Sequence, residues 1–429
     1  MEGNYRKFML LWAGEFISSI GGGLTSFGLG IYIFQRTGSA ASMALLTLLA
    51  FLPGLLLKVP AGVLADRYDR RLLMMIGDGC SGLGVLFILI CMLHGDASVR
   101  QIYAGVIVSS VFSALLEPAF TATITDLLTK EQFSKANGLV SMAGSARYLF
   151  SPIIAGFLLA VSDIRLILII DIATFFVTIL AAAVVRRGLG SKPSDDDSPF
   201  LASMKEGWKA VSGKRGLFLL ILVTSAITLF MGVFQVLAEP FILSFADSKT
   251  LGIVETVAAS GMLVSGVFLG IRGLKRRFVR TLSLGLAFAG VMMAMFGVFH
   301  NLYIICIFGF LFFAAMPFAN NSLDYLARTN IPEELQGRAW GLIGFISQSG
   351  YVIAYGLSGI VADAVGRITG GGVGRGASVT IFASGICLTV IALLIGRIRR
   401  IRNLEESTVQ TEALHDLAKN ESFVPQKSV

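Results

Sequence analysis

The sequence predicts an all-α membrane protein, with twelve transmembrane helices arranged as two pseudo-symmetric six-helix bundles. Of its 429 residues, 55% are hydrophobic and only 14% are charged, and the mean hydropathy is +0.78. One soluble core of this size needs far fewer apolar residues. The composition therefore argues against a disordered chain, a nucleic-acid-binding protein and an ordinary cytosolic enzyme.

Twelve apolar stretches are long enough to cross a bilayer, which takes about 20 residues in a helix. They are numbered as spans 1 to 12 and cover residues 8–34, 41–65, 72–94, 101–127, 134–161, 163–186, 215–245, 249–272, 278–299, 301–327, 336–362 and 373–398.

The basic residues predict the orientation of these spans. If the N-terminus is cytoplasmic, 27 of the 35 Lys and Arg residues fall in cytoplasmic segments and 6 in outside loops. Basic residues concentrate on the cytoplasmic side of membrane proteins. Both termini are therefore expected in the cytoplasm.

The polar segment 187–214 divides the spans into six and six. We interpret it as a cytoplasmic linker that ends in an amphipathic helix on the membrane surface. The expected domains are a first bundle (1–186), this linker, a second bundle (215–398) and a cytoplasmic tail (399–429). Span 4 contains Glu117-Pro118-Ala119-Phe120 and span 10 contains Met316-Pro317-Phe318-Ala319. This weak internal repeat is typical of secondary transporters, whose substrate site lies between the halves.

The loop after span 2 contains the most specific motif, Gly62-Val63-Leu64-Ala65-Asp66-Arg67-Tyr68-Asp69-Arg70-Arg71. It closely resembles the cytoplasmic loop signature of the major facilitator superfamily. Asp69 departs from the general pattern, which has Gly at that position. This variant resembles the drug-exporter branch that contains macrolide-efflux and enterobactin-exporter proteins, as do Leu11-Trp12-Ala13-Gly14, Thr37-Gly38-Ser39-Ala40, Phe51-Leu52-Pro53-Gly54 and Gly337-Arg338.

The resemblance implies a latch at the cytoplasmic face that breaks during transport. Asp66 is expected to accept hydrogen bonds from the start of span 11, near Arg338, and Arg70 is expected to pair with Asp126. The alternative is that the basic residues only keep the loop in the cytoplasm. The predicted gate residues are Gly62, Asp66, Arg67, Arg70, Arg71, Asp126 and Arg338.

Ionisable residues inside spans are the first candidates for a coupling or substrate site, because an unpaired charge in hydrocarbon is costly. Glu117 lies near the centre of span 4, and Arg147 lies at a similar depth in span 5. They are expected to pair, either as a static salt bridge or as part of the site. Glu15 shares one face of span 1 with Ser19, Gly22 and Ser26, and the resemblance places spans 1 and 4 beside a central cavity. A carboxylate there could exchange a proton.

Polar and aromatic side chains in the second half are further candidates for the same site. They are Gln235, Glu239, Asn320, Asn321, Gln348, Tyr351 and Tyr355. Phe234 and Phe318 are candidates for an apolar cavity wall. Asp171, in span 6, is interpreted as a fixed hydrogen-bond partner rather than a coupling group, and Asp78 as a gate contact near the cytoplasmic face.

Several kinds of chemistry have no support in the sequence. Cys80, Cys91, Cys306 and Cys387 lack metal-ligand spacing, and three His residues are too few and too scattered for a metal site. The chain has no Walker A motif and no clustered acid–histidine constellation. We therefore expect no metal, no cofactor and no enzymatic activity.

The resemblance implies a proton-coupled antiporter that exports macrolide-like or cationic amphipathic drugs from a bacterial inner membrane, a multidrug or antibiotic-resistance function. The alternatives within the same fold are a siderophore exporter and a lysolipid flippase. From a different class, a channel or receptor is the alternative. The expected partners are the substrate, protons and the lipid bilayer, with no nucleic acid, and each chain is expected to act as a monomer because it supplies both halves.

Overall fold

The computed structural model describes residues 2–186, 215–274, 277–331 and 336–405. Within them lie thirteen long helices: α1 (Glu2–Thr37), α2 (Ala40–Arg67), α3 (Arg70–Leu93), α4 (Val99–Ser113), α5 (Leu116–Leu127), α6 (Lys130–Val161), α7 (Ile164–Arg186), α8 (Arg215–Leu243), α9 (Ser248–Arg272), α10 (Phe278–Val298), α11 (Leu302–Asn330), α12 (Gln336–Ile368) and α13 (Gly372–Ile395). Twelve spans are long and apolar enough to cross a membrane. The predicted fold class is confirmed, whereas the predicted linker 187–214 and most of the tail lie outside the described residues.

Span 4 is broken into α4 and α5, whereas the sequence predicts one continuous helix. The break lies at Ala114 and Leu115, directly before Glu117 and Pro118. Proline lacks a backbone donor, and its ring clashes with the carbonyl four residues earlier. Glu117 therefore lies in the first turn of α5, where the positive end of the helix dipole favours a carboxylate. In span 10 the corresponding Pro317 lies inside the uninterrupted helix α11.

The helices pack as two groups, α1–α7 and α8–α13. In the first, α1 packs against α6 and α7, and α3 packs against α4 and α7; in the second, α8 packs against α12, and α10 packs against α11 and α13. The groups meet along two seams, α2 with α12 and α6 with α9. These seams join corresponding positions of the two halves, spans 2 and 11 and spans 5 and 8.

We call the face with the start of α1 and the connection 67–70 the termini face, and the other the opposite face. The seams close near the opposite face. In the α6–α9 seam, Thr256 donates a hydrogen bond to the carbonyl of Leu149 (3.0 Å), and a Cβ on Gly156 would lie only 2.6 Å from the carbonyl oxygen of Ser248. The absence of a side chain at Gly156 lets the two backbones touch.

Asp363 of α12 closes the second seam by capping α2 from the other half. Its carboxylate accepts hydrogen bonds from the Ser39 hydroxyl (2.6 Å) and from the amides of Ala40 (3.0 Å) and Ala41 (3.1 Å). The first amides of a helix have no partner within the helix, and a carboxylate there also interacts with the positive end of the helix dipole. This contact therefore stabilises the closed opposite face.

The second half is held together by close backbone contacts and aromatic rings. A Cβ on Gly290 of α10 would lie 2.7 Å from the carbonyl oxygen of Gly385, and a Cβ on Gly385 of α13 would lie 2.6 Å from that of Gly290. The two helices thus pack backbone to backbone. Elsewhere in this half, Phe234 packs in a ring cluster with Phe296 and Phe312, with centroid distances of 4.7 and 4.3 Å.

Replacing Asp363 with Asn is expected to open the opposite face. Loss of a charged cap costs about 1 kcal/mol, which changes a two-state population about fivefold. Spin labels on the R100C/T369C pair, in a background without native cysteines, should report longer distances in D363N. The matched control is E405Q, because Glu405 caps α10 within the second half through the amides of Phe278 and Val279. An equal shift in both variants would contradict this role of Asp363.

Candidate functional site

A cavity of about 580 Å³ lies inside the first half and faces the second. It is bordered by α1, α2, α3, α4, α5, α6 and α7, and Gln348 of α12 is the contribution of the second half among the described residues. Lys58 and Glu117 border it although both lie within spans, and their side chains are 52% and 74% exposed. The seams close the opposite face, so the cavity opens toward the termini face.

Glu15 and Arg147 both border this cavity and interact electrostatically. Arg147 lies against α1 at Gly23, where a Cβ would be 2.9 Å from the Arg147 Cγ. Around it, Ser151 donates to the carbonyl of Ile20 (3.0 Å) and Ser19 to that of Ala143 (3.2 Å), which fixes α6 against α1. The predicted polar face of α1 is therefore directed at α6 and the cavity.

The predicted pairing of Glu117 with Arg147 is wrong. Glu117 pairs with Lys58 of α2, with 3.4 Å between Nζ and Oε1, whereas Arg147 interacts with Glu15 and Asp171. The helix α5 presents Glu117 toward α2, whereas Arg147 lies against α1. Because both partners are exposed, the Lys58–Glu117 pair contributes little to stability, and its charges are free to contact a ligand.

The serines of α4 contact two neighbouring helices. Ser110 donates to the carbonyl of Leu49 in α2 (3.0 Å). Ser113, together with Ser109, lies within hydrogen-bond distance of the Ser81 hydroxyl in α3, at 2.9 and 2.7 Å. Ser109, which the sequence reasoning missed, borders the cavity as these serines do.

The structure brings three of the candidates in the second half together. Tyr355 donates a hydrogen bond to Gln235 (2.7 Å), and the rings of Tyr351 and Tyr355 lie 5.6 Å apart. Phe51 of α2 contacts both rings edge-on, at 5.8 and 5.5 Å. These rings cross the α2–α12 seam, next to the cavity.

Other candidates lie away from the cavity. Glu239 of α8 lies beside Gly30 of α1 and interacts electrostatically with Glu255 of α9. Asn320 and Asn321 are exposed and, within the described residues, do not border the cavity. Phe234 is 3% exposed inside the second half, so the expectation that it forms a cavity wall is wrong. Apolar residues occur on every side of α8, so the sequence did not show which side faces the core.

The motif loop forms a charge cluster at the termini face. The Arg70 Nη1 lies 2.7 Å from the Asp126 Oδ1, and the Arg71 Nη2 lies 3.1 Å from the Asp126 Oδ2. Asp126 is thus the partner expected for Arg70, and it also neutralises Arg71, whose side chain is only 2% exposed.

The other motif residues lie at the exposed side of this cluster. Asp66 is 63% exposed and lies 3.9 Å from Arg70. Arg67 is exposed, and a Cβ on Gly62 would meet open space. The side chain of Arg338 lies outside the described residues, so its contact with Asp66 stays a prediction.

Asp69, the departure from the general motif, connects the loop to the end of the first half. It caps α3 through the amide of Arg71 (3.1 Å) and accepts a hydrogen bond from Arg186 at the end of α7 (2.7 Å). Burial raises the pKa of Asp69, but the bonds from Arg186 and from the amides of Arg71 and Leu72 lower it by more. Its pKa therefore lies below the usual range, and the carboxylate is ionised at neutral pH.

Two features now agree on the class of protein: a 6+6 helical bundle with a cavity in the first half that faces the second, and an Asp–Arg cluster built from the loop signature. The model of the Major Facilitator Superfamily matches residues 11–355. The chain belongs to this superfamily. It is a transporter rather than an enzyme.

Curated relatives within the superfamily span nearly the whole chain. Macrolide efflux protein A of Streptococcus pyogenes is 27% identical over 411 residues, which is 93% of this chain and 97% of that protein. The multidrug efflux pump Tap of Mycobacterium tuberculosis is 24% identical over 374 residues, 84% and 87% of the two chains.

Solved structures share the fold at low sequence identity. A bacterial homologue of the iron transporter ferroportin, in an inward-facing state, has a TM-score of 0.71 at 16% identity and covers 91% of this chain and 99% of its own. The POT family transporter PepTSo has a TM-score of 0.74 at 11% identity, with 94% of this chain and 98% of its own covered.

Replacing Asp126 with Asn is expected to destabilise the first half, because it leaves the buried Arg71 without its counterion. Fully buried pairs cost about 3–5 kcal/mol to break. Because Asp126 is 38% exposed, we expect roughly 2 kcal/mol. Thermal unfolding of the purified protein should show a clear fall in Tm. The control is D66N, which removes an exposed carboxylate of the same cluster, and an equal loss in D66N would contradict this account.

Replacing Asp69 with Gly, the residue of the general motif, removes both the cap and the contact to Arg186. Asp247 is a matched control, since it caps α9 through the Thr250 amide (2.8 Å). D69G should therefore lower Tm more than D247G. The additional loss in the free energy of unfolding, relative to D247G, is about 0.2–1 kcal/mol, as expected for one partly exposed ion pair.

The Asp69 contribution also has a defined pH dependence. Because the folded pKa of Asp69 is lowered, its contribution is complete above the unfolded pKa and is lost as pH falls through the folded value. Tm measured from neutral to acidic pH should show the difference between D69G and wild type shrinking. A pH-independent difference would contradict the ionic part of the contact.

Proposed function

We propose that this transporter exports amphipathic small molecules, of the macrolide-like or cationic drug type, in exchange for protons. The observation that supports this most directly is the cavity of about 580 Å³ with Glu15 and Glu117 on its wall. Sites for drug-sized ligands have volumes of about 300–1,000 Å³ and combine apolar walls with a few polar groups. The efflux functions named for its relatives point to the same class of substrate.

The proposed cycle is a rocking of the two halves about the cavity. In the state described, a substrate enters from the termini face and contacts Glu15, the exposed Glu117 and the ring group of Phe51, Tyr351 and Tyr355. The opposite face then opens when Asp363 releases the start of α2 and the rings separate. In the other half of the cycle, Asp66 is proposed to bind the start of α12 and close the termini face, while Arg70 and Asp126 hold the motif loop in place.

The proposed orientation places the termini face in the cytoplasm of a bacterial cell. The excess of Lys and Arg in the segments on this face supports it. The chain is proposed to act as a monomer, because one chain supplies both halves of the transporter.

An anionic amphiphile, such as a siderophore or a lysolipid, is the second candidate substrate. Arg147 and Lys58 both border the cavity and would bind an acidic head group. Glu117 already pairs with Lys58, and Arg147 interacts electrostatically with Glu15, which makes a neutral or cationic substrate the better match.

The test is retention of a labelled macrolide and of the cationic dye ethidium in cells that lack their own exporters. Wild type should lower retention of at least one compound, and a protonophore should abolish the effect. E15Q and E117Q should also lose it, because each removes a carboxylate that binds the cation or the proton. The control E405Q removes a carboxylate that caps α10 and should behave as wild type.

Two results would contradict the proposal. Retention equal to that of empty cells for both compounds would reject drug export and favour the anionic amphiphiles. Export that persists with the protonophore would reject proton coupling.

A further inference from the structure

Four charged side chains from four different helices meet inside the first half. They are Glu15 of α1, Asp78 of α3, Arg147 of α6 and Asp171 of α7. Arg147 interacts electrostatically with Glu15 and with Asp171, while Asp78 interacts with Glu15 and Asp171. The cluster therefore contains three carboxyl groups and one cation.

Asp78 is the most deeply enclosed member, together with Asp171. Both side chains are 1% exposed. The Asp78 Oδ1 is buried and has no hydrogen-bond partner among the described residues. The gate position expected for Asp78 is therefore wrong, because its side chain points into the bundle interior.

The charges do not balance if every group is ionised. One arginine facing three carboxylates leaves two negative charges. Glu15, Arg147 and Asp171 border the cavity, whereas Asp78 is 1% exposed and does not, so an ionised Asp78 would lack both water and a counterion, which is strongly unfavourable. Glu15 and Asp171 each face Arg147. The charged groups that face Asp78 are Glu15 and Asp171, and its other polar neighbour is the hydroxyl of Thr178.

We propose that Asp78 is protonated in the state described and is the group that binds and releases the proton exchanged during transport. This inference rests on the proposed proton coupling and goes beyond it, because Asp78 lies behind the cavity wall rather than on it. Neutral Asp78 removes one of the two uncompensated charges. Its acidic proton also supplies a donor at the carboxyl group that otherwise only accepts.

A proton fits this position better than a metal cation. In the described part of the chain, no group of three or more His, Cys, Asp or Glu side chains is placed to hold a metal ion. A proton needs only one carboxyl oxygen, and an unpartnered buried oxygen is available.

The proton has a short route to the cavity. Asp171 and Ser81 both border the cavity and lie next to Asp78, Ser81 one helical turn further along α3. The Ser81 hydroxyl continues to Ser109 and Ser113. Release therefore transfers one H⁺ from the Asp78 carboxyl to water in the cavity and leaves a carboxylate, and binding reverses this step.

Arg147 couples the proton to the substrate. A cation that enters the cavity beside Glu15 competes with Arg147 for that carboxylate. Arg147 is then freer to neutralise Asp171, which weakens the repulsion that an ionised Asp78 feels. Binding of a cationic substrate thus favours release of the proton, which is the reciprocal linkage an exchanger needs.

The first experiment is infrared spectroscopy of the purified full chain in lipid nanodiscs during a pH titration, with and without NaCl. A protonated carboxyl has a C=O stretch that a carboxylate lacks. Wild type should show such a band at neutral pH and lose it at alkaline pH, D78N should lack it, and the control D324N should keep it. A band that persists unchanged in D78N, or that responds to Na⁺ instead of pH, would overturn the proposal.

D171N tests the same proposal in a second way if D78N does not fold. Removing the neighbouring negative charge makes ionisation of Asp78 easier, so its band should be lost at lower pH than in wild type. An unchanged or higher pH for this loss would count against Asp78 as the proton site.

A transport measurement separates this inference from the proposed function. In proteoliposomes, D78N should retain exchange of labelled for unlabelled ethidium but lose export driven by a pH gradient. Gradient-driven export equal to wild type in D78N would reject Asp78 while export itself stands. No ethidium transport by wild type, with the Asp78 band present, would reject the proposed substrate and leave the proton site in place.

Discussion

The need to neutralise charge inside the bundle determines much of this structure. Within hydrocarbon, an ionised side chain has no water to bind, so it requires a counterion or a proton. In the first half, Arg147 interacts electrostatically with Glu15 and Asp171, and Lys58 lies beside Glu117. At the termini face, Asp126 pairs with both Arg70 and Arg71. Of these contacts, the pairing of Asp126 with the buried Arg71 joins α3 to α5 most firmly, whereas the exposed Lys58–Glu117 pair leaves its charges available at the cavity.

The two halves use their polar residues differently. The cavity wall is almost entirely first-half surface, whereas the described second half packs glycine, alanine and phenylalanine tightly and contributes the tyrosine side of the seam. Carboxylates at helix starts then connect the parts: Asp363 joins the halves, and Asp69 joins the motif loop to α7. The ionisable side chains of the cavity therefore lie in the first half, whereas the Asp363 contact that joins the halves lies at the opposite face.

The spans and the partner of Arg70 could be predicted from the sequence, because apolar length and charge at a helix end are local properties. The partner of Glu117 could not, since membrane depth does not determine which way a helix is rotated. Pro118 was a usable signal for the break in span 4. Phe234 and Asp78 were misplaced for the same reason as Glu117: a hydrophobic span shows little periodicity when it contacts lipid on one side and protein on the other.

The contact between Gly290 and Gly385 has a mechanical consequence. Where two helix backbones touch, neither can slide or rotate past the other without steric overlap, so α10 and α13 behave as one stiff plate. A pair of helices packed in this way moves as a rigid unit, with little change in its internal geometry. In the proposed cycle, the helices α10 and α13 would therefore move as one rigid body.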